Sequence, residues 1–241
     1  MIAATIRATL TAADEALAIG FLAEGNGSEA ERLRARVADG GADVLWDDPR
    51  LLAMLLESRA LAQPSAALLV YVALRRALLD VGVDRRDLAD YGAAMVLAFG
   101  REGRAYRISD RDENEYAYVV DLIEETARAD GERQFRVLAH LGNFALWLTG
   151  IFPDYIAARR TRKGGPGLAY YEAAGRSGFQ RAAEHRLAGA YGLAAVLGEA
   201  GERFTELRVA LNRFSDRMLF PHCHSPERLL RQVADEFRTA H

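Results

Sequence analysis

The sequence predicts an all-α protein, a multi-helix antiparallel bundle whose C-terminal half hints at helical-hairpin repeats. Three observations predict it. Apolar residues recur at three- and four-residue spacing through most of the 241 residues. Strand-like alternation is confined to Tyr106-Arg107-Ile108, too short to build a sheet. Short breaks marked by Gly, Pro and Asp separate the periodic stretches, which makes neighbouring helices antiparallel. The chain is read as one domain over 1–241, with the polar break at 100–108 as the place where it would divide.

The elements follow in order. A first helix runs from Thr11 to Glu24, with Leu17, Phe21 and Leu22 inward, and Gly25-Asn26-Gly27 stops it. Ser28 is expected to cap a solvated helix from Glu29 to Ala38. Asp48-Pro49 is a start signal, an acidic cap before proline at the first helical position, for a helix through Leu51, Leu52, Leu55 and Leu56. Pro64 separates it from a helix over Ser65 to Leu79 that is apolar nearly all round, as a central helix should be. Asp84 opens the next, through Leu88, Met95, Val96 and Phe99. Beyond the break, Ser109 or Asp110 is expected to cap a helix through Tyr116, Val119 and Ile123. Asp130-Gly131 ends it. A long helix from Glu132 to about Gly150 and a short one from Asp154 to Arg160 follow, then a basic, glycine-rich loop. Helices over Leu168 to Arg186, Leu187 to Leu197, Phe204 to Met218 and Pro226 to Phe237 complete the chain. Gly175, Phe179 and Ala182 are echoed by Gly201, Phe204 and Leu207, the basis of the repeat reading.

Composition narrows the function classes. Half the residues are hydrophobic and 27% are charged, as in a folded chain. A formal net charge of -3 carries no global bias toward nucleic acid or anionic membrane. Cys223 is the single cysteine, so no intrachain disulfide forms. The run Ala66 to Leu74 falls well short of the roughly 20 apolar residues of a membrane span, and Asp14 and Glu15 interrupt any secretory pattern at the start. A cytoplasmic location is expected, with no membrane.

Chemistry-bearing residues fall into four groups. Val137, Leu141, Phe144, Leu148 and Ile151 form one apolar helical face, and Arg136, His140, Asn143 and Trp147 form a second stripe. That stripe is either a pocket wall or an ordinary half-exposed face. Tyr171, Glu172, Gly175, Arg176 and Phe179 share a face, as anion-gripping groups or as a close helix crossing with a Glu172–Arg176 ion pair. A ligand pocket between these helices would bring His140, Asn143, Trp147, Tyr171 and Arg176 together. Arg159, Arg160, Arg162 and Lys163 could contact phosphates, although they lack the Walker spacing. His222, Cys223 and His224 are metal-competent donors, but adjacent residues rarely all reach one ion, and no second ligand pair accompanies them. Neither a metal nor another cofactor is expected. Val137 and Ala182 stand three residues before His140 and His185, so the Glu-x-x-His pairs of a di-iron bundle are absent.

The segments Leu141-Gly142-Asn143-Phe144-Ala145-Leu146-Trp147-Leu148-Thr149-Gly150-Ile151-Phe152-Pro153, Tyr170-Tyr171, Gly175-Arg176-Ser177-Gly178-Phe179 and Arg203-Phe204-Thr205-Glu206-Leu207 together resemble a family of uncharacterised bacterial all-helical proteins. The resemblance covers about residues 135 to 215 and implies a helical fold but no activity. The leading expectation is a non-enzymatic interaction or scaffold protein that binds a protein partner or itself. The alternatives are a small-molecule-binding protein or enzyme with the pocket named above, and phosphate or nucleic-acid contact through 159–163.

Overall fold

The structure, a computed structural model, describes residues 5–57, 63–101, 103–109, 112–223, 228–232 and 235. It is all-α, and no strand occurs among the described residues. Helix α1, Ala12–Ala23, opens on a capping box in which Thr11 and Asp14 satisfy each other's backbone N–H. It ends at Glu24 and Gly25, both at positive φ. Asn26, not Ser28, caps α2, Gly27–Gly40, its Oδ1 accepting from the N–H groups of Ser28 and Glu29. A single turn, α3, Asp43–Trp46, buries Leu45 and Trp46. Asp48 accepts from the Arg50 N–H just ahead of α4, Leu51–Glu57. Ser65 caps α5, Ala66–Leu79, whose side chains are largely buried as its composition predicts. Helix α6, Arg86–Phe99, starts two residues past Asp84, whose carboxylate turns to the buried Arg75 instead.

The largest departure from expectation among the described residues lies at 112–118. No helix forms around Tyr116. Asp112 accepts from the backbone and hydroxyl of Ser109, and α7 begins only at Val119, running to Arg128. Arg133 explains the extended path. It gathers Asp112, Glu125 and the Tyr116 hydroxyl, and so ties the segment down on the next helix. Asp110, the alternative cap, lies outside the described residues.

Helix α8, Gly131–Ile151, is the axis of the fold and packs against α6, α7, α9, α10 and α13. Glycines set its closest approach. A Cβ on Gly142 would stand 2.5 Å from the Phe179 ring, and one on Gly150 would stand 2.6 Å from Leu211. Helix α9, Pro153–Lys163, leaves α8 at 88°. Then come α10, Leu168–Glu184, α11, Arg186–Ala190, α12, Ala194–Glu202, and α13, Phe204–Phe214. Helix α13 runs into a π-helical turn over Ser215–Leu219. Residues 228–232 are helical, and the rest of the helix expected at its end lies outside the described residues, apart from Asp235.

Helices from both sides of the 100–108 break pack together. Helix α5 contacts α13, and α6 contacts α8 and α12. Their buried apolar side chains, from Ala18 to Phe214, join one cluster. The echo between hairpins is a reciprocal contact: the Phe204 ring covers Gly175, and Gly201 lies against Gln180 and Phe179. Among the described residues no single helix is long and apolar enough to cross a membrane. The apolar length of α8 serves the core instead.

Candidate functional site

The five residues expected to line one pocket do not share one. Helices α8 and α10 meet through Gly142 and Gly178 at a distance that leaves no room between them. His140 and Asn143 face α6. Trp147 is packed edge-on against Phe99 and Phe152. Tyr171 belongs to a different surface, described below. Arg176 reaches α12 and α13, donating to Thr205 Oγ1 at 2.6 Å and to the Glu202 carbonyl. The expected Glu172–Arg176 pair gives way to a longer-range one, Glu172 with the buried Arg208 at 2.6 Å. In the second stripe only Arg136 is partly exposed; His140, Asn143 and Trp147 are buried, and Trp147 makes a helix–helix contact with Phe99 of α6.

Around His140 lies a cavity of about 20 Å³, walled by Tyr91, Arg104, Ile108, Arg136, Asn143 and Leu197 among others. That is room for about one water. Asn143 Oδ1 accepts from the Tyr91 hydroxyl at 2.8 Å. The imidazole lies parallel to the Phe144 ring and beside Phe99, and its Nε2 has no hydrogen-bond partner. Burial, with help from the Arg104 charge, pushes the His140 pKa down to about 3. The histidine is therefore neutral near pH 7, and the cavity is too small for an organic substrate.

A polar cleft of about 400 Å³ lies beside the π-helical turn, lined by Asn212, Arg213, Asp216, Arg217, Arg231, Gln232 and Asp235. Its carboxylates are engaged. Asp216 binds Arg228 and Arg231, and Asp235 binds Arg208. Asn212 Nδ2 donates to the carbonyls of Thr149 and Gly150, and Ser215 Oγ to that of Ile151. These bonds satisfy the otherwise unpaired C-terminal carbonyls of α8. The network pins residues 228–232, Asp235 and α13 to the core.

The third place is a surface formed by Tyr118, α9 and the start of α10. The segment expected to be a basic loop is helical: α9 continues through Arg162 and Lys163, and Gly164, at φ 61°, ends it. Cations in the last turn of a helix complement its dipole. Helical spacing puts Tyr155, Arg159, Arg162 and Lys163 on one face, where together with Tyr118 and Ala158 they line a hollow of about 210 Å³. Arg160 points away and packs over Gly167. A second hollow, about 260 Å³, is lined by Tyr118, Val119, Val120, Arg159, Pro166, Tyr170 and Tyr171. The two share a wall in which the Arg159 guanidinium lies 4.6 Å from the centre of the Tyr118 ring. Tyr118, Val120, Tyr155 and Tyr170 are exposed large hydrophobic side chains. No carboxylate among the described residues lies within ion-pair distance of Arg159, Arg160, Arg162 or Lys163, as is also true of Arg34, Arg181, Arg186 and Arg217, whereas the more buried Arg75, Arg133, Arg208 and Arg231 each have one.

No family model, no curated protein and no solved structure matches the chain. Of the three places, the α9 surface is the one where cations without a carboxylate partner adjoin exposed tyrosines. Sequence reasoning found its cations and Tyr171 but missed Tyr118, Tyr155 and Pro166. The Tyr155-to-Arg159 spacing of four was the available signal. Tyr118 comes from a distant segment and left none.

His222 and Cys223 are exposed, and His224 lies outside the described residues. Among the described residues no group of three or more His, Cys, Asp or Glu side chains is placed to hold a metal ion.

Proposed function

We propose that the protein is a non-enzymatic helical interaction protein that takes a protein partner on the surface of Tyr118, α9 and the start of α10. The observation that carries this reading is the clustering of half-exposed tyrosines with cations that lack carboxylate partners. Tyrosine and arginine are the residue types that protein interfaces concentrate, because each covers large area and keeps a polar group in reach of the rim. A monomer gains nothing in stability by leaving Tyr155 and Tyr170 in water, and their grouping marks a place to be covered.

The test is site-specific photo-cross-linking in the cells that make the protein. A photoreactive phenylalanine analogue replaces Tyr170, and in a control replaces Tyr191, an exposed tyrosine outside this surface. A discrete adduct formed from position 170 but not from 191 supports the reading. Identical adduct patterns from both positions, or none from position 170, would remove it.

A further inference from the structure

We propose that this surface recognises an acidic peptide segment, in which one aliphatic or aromatic anchor enters the hollow of Val119, Val120, Pro166 and Tyr170 while carboxylates nearby in sequence bind Arg159, Arg162 and Lys163. The inference rests on the interaction reading above and adds the chemistry of the partner. Its basis is the pairing of the two hollows. One is walled by aliphatic and aromatic carbon, the other by three cations, and Tyr118 and Arg159 belong to both. A ligand that fills both must present an apolar group and negative charge side by side. Neighbouring side chains of one peptide do so.

Charge complementarity selects the sign. The cations stand on one helical face without carboxylate partners among the described residues, so an incoming carboxylate displaces no existing ion pair. Arg159 and Arg162 offer planar guanidinium forks that carboxylates engage through two hydrogen bonds. Desolvating the apolar hollow at the same time would strengthen those bonds.

A single-stranded nucleic acid fits less well. Base stacking needs open ring faces, and the face of Tyr118 is already occupied by Arg159. Tyr170 and Tyr171 stand nearly perpendicular, at 87°, and form no platform. The cations, from Arg159 to Lys163, span little more than one turn of one helix and make no track for a phosphate backbone.

The test selects random peptides displayed on phage against the full-length chain, with counter-selection on the Arg159→Glu, Arg162→Glu double variant. Both positions are on the outer face of α9, and circular dichroism with thermal melting establishes that the variant folds. Expected are peptides with Asp or Glu within about four positions of Leu, Ile, Phe, Trp or Tyr, the spacing that brings two side chains to one helical face. Synthetic copies should bind the wild type at least about tenfold more tightly than the variant, and more weakly as salt rises. Enriched peptides without acidic residues, equal binding to the variant, or no enrichment over bare beads each overturn the proposal. So does tighter binding of a single-stranded oligouridine that the same variant abolishes. A partner cross-linked from position 170 through a segment lacking acidic residues would also remove it, while leaving the interaction reading in place.

Discussion

The backbone nitrogen of Gly142 lies 2.8 Å from where a Cβ on Gly178 would stand, and the carbonyl oxygen of Leu138 lies 3.0 Å from the same point. Helices α8 and α10 therefore touch backbone to backbone. This contact closes the space in which a ligand pocket was expected.

Gly178→Ala should destabilise the fold by about 3 kcal/mol, because the obstructing atoms are backbone and can yield only if the helices separate. Gly20 gives the opposite sign. It lies inside α1 with nothing within 4 Å of its would-be Cβ. Gly20→Ala should stabilise by about 0.5–1 kcal/mol through lost freedom of the unfolded chain. Urea unfolding of the two variants measures both. Equal small effects would mean that the crossing is looser than described.

Arg75 is 2% exposed and sits between Asp47 at 2.7 Å and the far more exposed Asp84. Burial opposes its charge, and the hydrogen bonds it donates to the two carboxylates more than offset that. Asp47→Asn should cost about 2–3 kcal/mol, since it strips a buried cation of its inner partner. Asp84→Asn should cost less than about 1 kcal/mol, as exposed ion pairs do. Thermal melting of the two variants separates them, and an inverted order would show that Asp84 is the partner that matters.

Asn212 holds the end of α8 to α13. Its Nδ2 donates to the carbonyls of Thr149 and Gly150 at 2.8 and 2.7 Å, and its Oδ1 accepts from Arg208. Asn212→Ala leaves two buried carbonyls and part of a buried guanidinium unsatisfied, a cost of about 2 kcal/mol. Hydrogen exchange should then rise in the last turn of α8 before it rises in α5. Uniform exchange would mean that the bond does not anchor that end.

Most helices could be read from the sequence because apolar periodicity and caps such as Ser65 act locally. The failures arose where distant residues decide. Nothing near Tyr116 announces that Arg133 holds residues 112–116 out of a helix. The Glu172–Arg176 spacing satisfies a local rule, yet Glu172 pairs with Arg208, 36 residues on. The sequence places the end of α9 too early, at Arg160, because its arginine-rich exposed face has no apolar rhythm. The Gly164 that ends it and the cations in its last turn were nonetheless the ordinary signs of a helix end. The site was half legible for the same reason, since α9 supplies the cations and a separate segment supplies Tyr118.

His140 makes stability depend on pH in a window of its own. Its folded pKa is held near 3 by burial first and by Arg104 second. In the unfolded chain a histidine titrates near about 6.5. Between these values the unfolded state binds a proton that the folded state refuses, so stability rises with pH. The contribution is fully present above pH 6.5 and is lost progressively as pH falls toward 3, at up to about 1.4 kcal/mol per pH unit. Asp47, Asp48, Asp87 and Asp112 are held below the ordinary carboxylate range, so their losses begin only as pH nears about 4. Asp90, whose pKa burial raises, contributes with the opposite sign but is common to both proteins, so the difference between wild type and His140→Leu in denaturant unfolding between pH 6.5 and 5 isolates the histidine. The wild type should lose stability across this interval, and His140→Leu should lose much less. Equal pH profiles for the two proteins would show that His140 reaches solvent and takes up its proton without unfolding.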